Sequence, residues 1–231
     1  MPRRQDGTGD DRFLVDSVLR CLSFLHADRI IQILRPVLHR QLYVGGNDRT
    51  NNGVILLIAR SSSAEEIAEE MFEWAETGAP TYSISLMELL ATLDSPGSEI
   101  QSATRDRCSK VSKSPRGFNE LTCDVLFAKW GDSESLRRLA ARLYDDHTSP
   151  ERNTAEQVAR YLSKDLESEG VPLLRKALFS NDLEAAIRVT GWLCQAAGPG
   201  DGVADRIEEL ATAFPDNERL LRILERCLAG W

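Results

Sequence analysis

The chain has 231 residues, of which 42% are apolar and 28% are charged, and this composition is typical of a globular protein rather than of a disordered chain. Its net charge of −8 disfavours broad contact with phosphate backbones. No secretory signal is visible, and the longest uncharged apolar run, Val54 to Ala59, is too short to cross a bilayer. We therefore expect a cytoplasmic protein that makes no contact with membranes.

The first 94 residues are expected to form a disordered N-terminus, residues 1–11, followed by a mainly helical domain, residues 12–94. Apolar residues at intervals of three or four predict helices over Phe13–Leu25 and Ala27–Tyr43. Because Pro36 lies inside the second pattern, that helix either begins near Pro36 or is kinked there.

A strand is the first interpretation of residues 54–59, which form a short, partly β-branched apolar run between loop residues. Ser62 and Ser63 each precede a glutamate by three residues, which predicts a helix start. A second strand over residues 81–85 and a helix over 86–93 would complete a small β–α–β element. An entirely helical alternative stays open, because a six-residue apolar run is ambiguous.

Residues 51–94 resemble the closing half of restriction-endonuclease-like domains of the Mrr type, in which a strand, an Ala/Glu-rich helix, a short strand and a Leu-rich helix follow one another. That resemblance implies a fold built around a sheet and contact with DNA. The nuclease chemistry of such domains needs an acidic residue or Gln two positions before a Lys to hold a divalent metal. No Asp-x-Lys, Glu-x-Lys or Gln-x-Lys occurs in the chain, so the resemblance implies a relative without the catalytic motif.

Two charged segments are candidate interaction surfaces. Residues 95–117 are predicted to be a basic, mobile linker, and nucleic acid is expected to bind only there, although the linker has no interleaved aromatic residues for base stacking. The acidic face of the helix that follows Ser63 is the second candidate, for a basic partner or simply as a solvated surface. The candidate residues are Arg105, Arg107, Lys110, Lys113 and Arg116 in the linker, and Glu66, Glu69 and Glu73 on the helix.

The second half, residues 118–231, is predicted to be a stack of antiparallel helix pairs, because its apolar residues keep helical spacing and its connections are short. The run from Ile207 to Asn217, followed by a Leu-rich helix, resembles the junction between tetratricopeptide repeats. That resemblance implies a solenoid-like stack with a concave binding face. The predicted helices are Asn119–Trp130, Ser133–Asp145, Asn153–Ser168, Val171–Phe179, Leu183–Ala197, Val203–Phe214 and Asn217–Ala229.

Residues that carry chemistry are few and scattered. Five cysteines without CxxC spacing predict reduced thiols rather than a disulfide framework or a zinc site. His26 and His39 lack a ligand pattern. His147 follows Asp145 and Asp146 and lies near Glu151, a set that could hold a metal but is more typical of a polar helix end, so we predict neither a metal nor a cofactor. Trp231 ends the chain beside apolar residues, and we expect it to be buried against something further.

Mainly α architecture without a catalytic constellation predicts a non-enzymatic adaptor or regulatory subunit that binds another protein through the helical stack. A degenerate nuclease-type defence protein that contacts DNA is the alternative, and it requires a sheet around Val54–Ala59. A small-molecule enzyme would need a closed polar pocket that the sequence cannot locate. The sequence indicates neither the identity of the partner nor the oligomeric state.

Overall fold

The structure is a computed structural model that describes residues 8–44, 52–76, 80–110, 118–144, 152–198 and 200–228. These residues form twelve helices and no strand. The mainly α prediction is confirmed, and the β–α–β element is absent from the described ranges. The chain divides into two compact units, Met1–Leu126 (unit 1) and Phe127–Trp231 (unit 2).

Unit 1 contains five helices and most of a sixth, and its boundary with unit 2 lies within that sixth helix. The long first helix has a non-helical backbone at His26 (φ −148°, ψ 39°), so it consists of two helical pieces, as the spacing predicted. Pro36 lies inside the second piece. The helices are α1 (Thr8–Val44), α2 (Asn52–Ala59), α3 (Ala64–Glu76), α4 (Pro80–Thr92), α5 (Ser98–Ser109) and α6 (Glu120–Lys129).

The strand prediction for residues 54–59 is wrong, because α2 covers them. Val54, Ile55, Leu57 and Ile58 are all buried, and α2 contacts α1, α3 and α4. A helix that is surrounded by other helices is apolar on most of its sides, and it therefore shows no amphipathic period. Its six-residue run is consequently indistinguishable from a buried strand by pattern alone.

The second predicted strand, residues 81–85, is also helical, since α4 runs without interruption from Pro80 to Thr92. Pro80 is the first residue of α4, a position where its missing N–H breaks no helical hydrogen bond and its fixed φ suits a helix.

The segment predicted to be a linker contains a helix, α5, which buries Ile100 and Thr104 one turn apart. Residues 111–117 lie outside the described part of the chain, as do residues 1–7 of the predicted disordered N-terminus.

A disulfide joins Cys108 of α5 to Cys123 of α6, with an Sγ–Sγ distance of 2.10 Å and a Cα–Cα distance of 6.1 Å. The prediction of reduced thiols is therefore wrong for this pair. The spacing of the cysteines along the sequence did not predict this bond, because the bond requires α5 and α6 to be neighbours in space. Cys21 is a free cysteine with an exposed side chain, and the side chain of Cys194 is buried.

Unit 2 begins with the end of α6 and continues with six further helices joined by short connections. Two of these helices begin with a capping aspartate, Asp132 accepting from the Ser135 backbone N–H and Asp182 from that of Ala185. The helices are α7 (Ser133–Arg142), α8 (Arg152–Lys164), α9 (Glu167–Leu178), α10 (Leu183–Ala197), α11 (Val203–Ala213) and α12 (Glu218–Leu228).

In unit 2, each helix from α7 to α11 contacts the helix that follows it in the chain. Helix α8 also contacts α10, and α10 also contacts α12. Helix α10 lies at the centre of this set and buries residues on most of its surface: Ala185, Ala186, Arg188, Val189, Thr190, Leu193 and Cys194. The alternate helices α8, α10 and α12 are therefore neighbours in space.

Helices α8 and α9 of unit 2 approach each other closely at Gly170 of α9. A Cβ atom at this position would lie 2.0 Å from the carbonyl oxygen of Leu162 in α8. The sequence predicts the break between these helices at residues 169–170, close to Pro172. In the structure, α8 ends at Lys164 and α9 begins at Glu167, so the break lies at Asp165 and Leu166. Gly170 therefore lies inside α9, where the absence of a side chain lets α8 pack closely, and it does not form a turn between the two helices.

Candidate functional site

A groove of about 430 Å³ lies in unit 2 between α10 and α12. Helix α10 supplies one wall and the polar face of α12 supplies the other. Its lining residues are Gly191, Trp192 and Gln195 of α10, and Glu218, Arg219, Arg222, Ile223 and Arg226 of α12. We call it the arginine groove, because three of these eight residues are arginines.

The three arginines share one face of α12, since Arg219, Arg222 and Arg226 are three, four and seven residues apart. Arg222 forms an ion pair with Glu218 at 2.7 Å, but the two side chains are 72% and 79% exposed. An exposed pair of this kind on one helix contributes only about 0.3–0.5 kcal/mol. Arg226 is exposed and has no hydrogen bond or ion pair to another residue that the structure describes.

Arg219 is the anchored member of the set. Its guanidinium donates to both carboxylate oxygens of Glu156 in α8, at 3.1 and 2.9 Å, and to the carbonyl oxygen of Arg188 at 3.3 Å. The indole N–H of Trp192 donates to the same Glu156 carboxylate at 2.7 Å. These bonds tie α8, α10 and α12 together at one end of the groove.

Arg188 supports this arrangement from the interior. It is a buried arginine of α10, and its guanidinium donates to the carbonyl oxygen of Leu143 at 2.6 Å. A buried charge of this kind is tolerated because its donors are satisfied. Arg188 therefore fixes α10 against the end of α7 while its own carbonyl accepts from Arg219.

The apolar part of the groove lies where α10 and α12 approach closely. A Cβ atom on Gly191 would lie 3.3 Å from Cδ1 of Ile223, so glycine at this position lets the two helices come together. Trp192 is half-buried at the groove, with the Lys164 Nζ 5.7 Å from its ring centroid. The groove thus combines apolar surface with three guanidinium groups.

The basic residues predicted as an interaction surface do not form one surface in the structure. Arg107 donates to the carbonyl oxygen of Ala75 at 3.3 Å and to the Ser83 hydroxyl at 3.0 Å, so it joins α5 to α3 and α4. Arg105 and Lys110 are exposed. Lys113 and Arg116 lie outside the described residues.

The acidic candidates lie on α3 in unit 1. Glu66 pairs with Arg35 at 2.8 Å, and the hydrogen bond and charge of this arginine lower the pKa of the Glu66 carboxyl. Arg35 also bonds to Glu70, so part of the predicted acidic face is neutralised within the unit. Glu69 and Glu73 are exposed.

No set of three His, Cys, Asp or Glu side chains in the described ranges is placed to hold a metal ion. His26 lies at the break in α1, and His39 contacts the buried Tyr82, whose hydroxyl lies 3.1 Å from the His39 Nε2. His147 and Trp231 lie outside the part of the chain that the structure describes.

The sequence reasoning did not identify the arginine groove. One signal was present, because Arg219, Arg222 and Arg226 recur on one face of the predicted last helix. The role of Glu156 carried no such signal, since it lies 63 residues from Arg219. Only the contacts among α8, α10 and α12 bring the two together.

None of the described helices has both the length and the apolar composition that a bilayer crossing requires. No protein-family model matches the chain, and no curated protein or solved structure matches it either.

Proposed function

We propose that the protein is a non-enzymatic adaptor that binds a partner protein through the face of unit 2 formed by α8, α10 and α12. The observation that carries the proposal is the contact of alternate helices, α8 with α10 and α10 with α12. In a stack of antiparallel helix pairs, every second helix lines the same face. This pattern supports the solenoid-like, tetratricopeptide-like interpretation of the sequence.

The composition of this face also favours a protein partner. Tryptophan and arginine are the residues that most often dominate the binding energy of protein interfaces, and the groove presents Trp192 beside three arginines. A concave site with a few polar groups around apolar surface is the usual form of a binding site.

The nuclease-derived alternative is not maintained. It required a sheet around Val54–Ala59, and that segment is the buried helix α2. The candidate DNA-binding residue Arg107 is engaged in contacts within unit 1.

Site-specific photo-crosslinking tests the proposal. A photoreactive amino acid is placed at Gln195, an exposed residue of α10 at the groove, and in a matched variant at Glu208, an exposed residue of α11 that does not line it. Irradiation of cells that express the full chain should give one defined crosslinked protein at Gln195 and none at Glu208. Equal crosslinking at both positions, or crosslinking only at Glu208, would contradict the proposal.

A further inference from the structure

We infer that the arginine groove binds an acidic segment of the partner protein, whose Asp or Glu carboxylates pair with Arg222 and Arg226. This inference rests on the proposed function and adds the chemistry of the ligand to it.

A carboxylate of the chain itself already binds two of the residues that line the groove, Arg219 and Trp192. The side chain of Glu156 accepts two hydrogen bonds from Arg219 and one from the indole of Trp192. Two parallel bonds between a guanidinium and a carboxylate are the strong, geometrically specific form of this interaction. The guanidinium groups on this face of α12 are therefore suited to bind carboxylates, and Arg219 already binds the carboxylate of Glu156.

The next two guanidiniums along the same wall are available to a ligand. Among the residues that the structure describes, Arg226 has no ion pair, and Arg222 is engaged only by Glu218, in an exposed pair within one helix. Because such a pair is weak, an incoming carboxylate displaces Glu218 at little cost. Arg222 and Arg226 are four residues apart, so their side chains extend from neighbouring turns of α12.

The groove also has room for an apolar side chain of the ligand. Trp192 is half-buried, and Ile223 is held against Gly191 at the floor. A segment that alternates acidic and apolar residues would place carboxylates on the arginines and an apolar side chain against Trp192. Removing water from around the ion pairs in this way strengthens them.

The charge around the groove favours an acidic peptide over a nucleic acid. Residues 127–231 carry 14 basic and 18 acidic groups, so unit 2 as a whole repels a long polyanion. The three arginines occupy about two turns of one helix, which suits two or three carboxylates rather than the extended track of phosphates that a nucleic acid backbone presents.

A peptide selection on the full chain tests the inference. A library of random twelve-residue peptides is selected against immobilised protein, and affinities of the enriched peptides are measured by fluorescence anisotropy. The peptides should be enriched in Asp and Glu, and their binding should weaken with added salt. The double variant Arg222→Glu/Arg226→Glu should bind about tenfold or more weakly, because it replaces attraction by repulsion.

The matched control is Arg137→Glu/Lys176→Glu, which makes the same change of charge at exposed positions of α7 and α9 that do not line the groove. It should bind the peptides as wild type does. Since all four positions are exposed, thermal unfolding is expected to be similar in the three proteins and is measured on each.

The outcomes separate the inference from the proposed function. Peptides without acidic enrichment that still compete with crosslinking at Gln195 would overturn the inference and leave the proposed function intact. No enriched peptide, or equal binding to both double variants, would also overturn it. Tighter binding of a twelve-nucleotide single-stranded DNA, or self-association that the groove variant abolishes, would assign the groove to phosphates or to a second copy and overturn it.

Discussion

The two units expose different kinds of surface. In unit 1, the apolar side chains of Val18, Leu25, Ile33 and Val37 of α1 are exposed, with Leu25 at 71% and Ile33 at 66%, and we call them the α1 stripe. In unit 2, the arginine groove presents three arginine side chains of α12 beside Trp192 of α10. An apolar stripe can be covered by many kinds of surface, whereas guanidiniums beside a tryptophan select a ligand. The arginine groove of unit 2 therefore indicates the chemical class of its ligand, whereas the α1 stripe does not.

The close approach of α8 and α9 gives the largest expected effect. Gly170→Ala should destabilise the full chain by about 3 kcal/mol or more, since its Cβ would lie 2.0 Å from the backbone carbonyl oxygen of Leu162, which cannot move aside as a flexible side chain does. Thermal or urea unfolding measures the loss. Gly191→Ala is the control, because its Cβ meets only the end of the Ile223 side chain at 3.3 Å. Equal stability of the two variants would contradict the packing of unit 2.

The disulfide of unit 1 should contribute almost as much. Cys108 and Cys123 are 15 residues apart, and closing a loop of this length stabilises a folded chain by about 3 kcal/mol. Cys108→Ser/Cys123→Ser should lower the unfolding temperature, and a reducing agent should lower that of wild type but not of the variant. Cys21→Ser, at an exposed free cysteine, should change nothing. Insensitivity of the wild type to reduction would show that the bond does not form.

Arg188 should matter for stability as well as for the groove. Arg188→Met keeps an apolar stem but leaves the Leu143 carbonyl oxygen without this donor, at a cost of about 2 kcal/mol. Urea unfolding measures the loss, and Arg137→Met, at an exposed position of α7, provides the comparison. A change below about 0.5 kcal/mol, the range of an ordinary surface substitution, would show that the buried bond is unimportant.

The α1 stripe should contribute little to the folded state of unit 1. Leu25→Glu/Ile33→Glu replaces two mostly exposed side chains, so the free energy of unfolding should change by less than about 1 kcal/mol. Crosslinking at Gln195 should be unaffected. Loss of that crosslink would make the α1 stripe, rather than unit 2 alone, part of the partner's binding surface.

The smallest expected effect is a pH dependence at Glu66. Its pKa is lowered by Arg35, so the pair stabilises unit 1 above the ordinary pKa of a glutamate, about 4.3. This contribution is lost as the pH falls through the lowered value. The unfolding temperatures of wild type and Glu66→Gln should therefore differ slightly at pH 7 and converge as the pH falls below the lowered pKa of Glu66. A difference that grows on acidification would contradict the pairing.

The second half was more predictable than the first because its helices are amphipathic and lie between short loops. Helix α10 was predicted with its observed ends, Leu183 and Ala197, where Asp182 and Gly198 mark the boundaries. In the first half, α2 is buried on most of its surface, and the fully buried side chains of α5 are those of Ile100 and Thr104. Neither arrangement produces the one-sided apolar period on which the prediction depends.

The candidate site was less predictable than the helices. The linker arginines were predicted as an interaction surface from their charge alone, but Arg107 donates its hydrogen bonds to Ala75 and Ser83 within unit 1. The arginine groove depends on Glu156 and Arg219, which are 63 residues apart, and on the space that Gly191 leaves. Such a site arises from helix packing, so a linear pattern reveals only the three arginines of α12.

Hydrogen–deuterium exchange on the full chain, with and without a saturating acidic peptide from the selection, tests the central claim most directly. The peptide should slow amide exchange in α10 and α12 and leave α1, α9 and α11 unchanged, because the ligand is held between the walls of the arginine groove. Slower exchange in α1 with no change in α10 and α12 would contradict the claim and move the binding surface to unit 1.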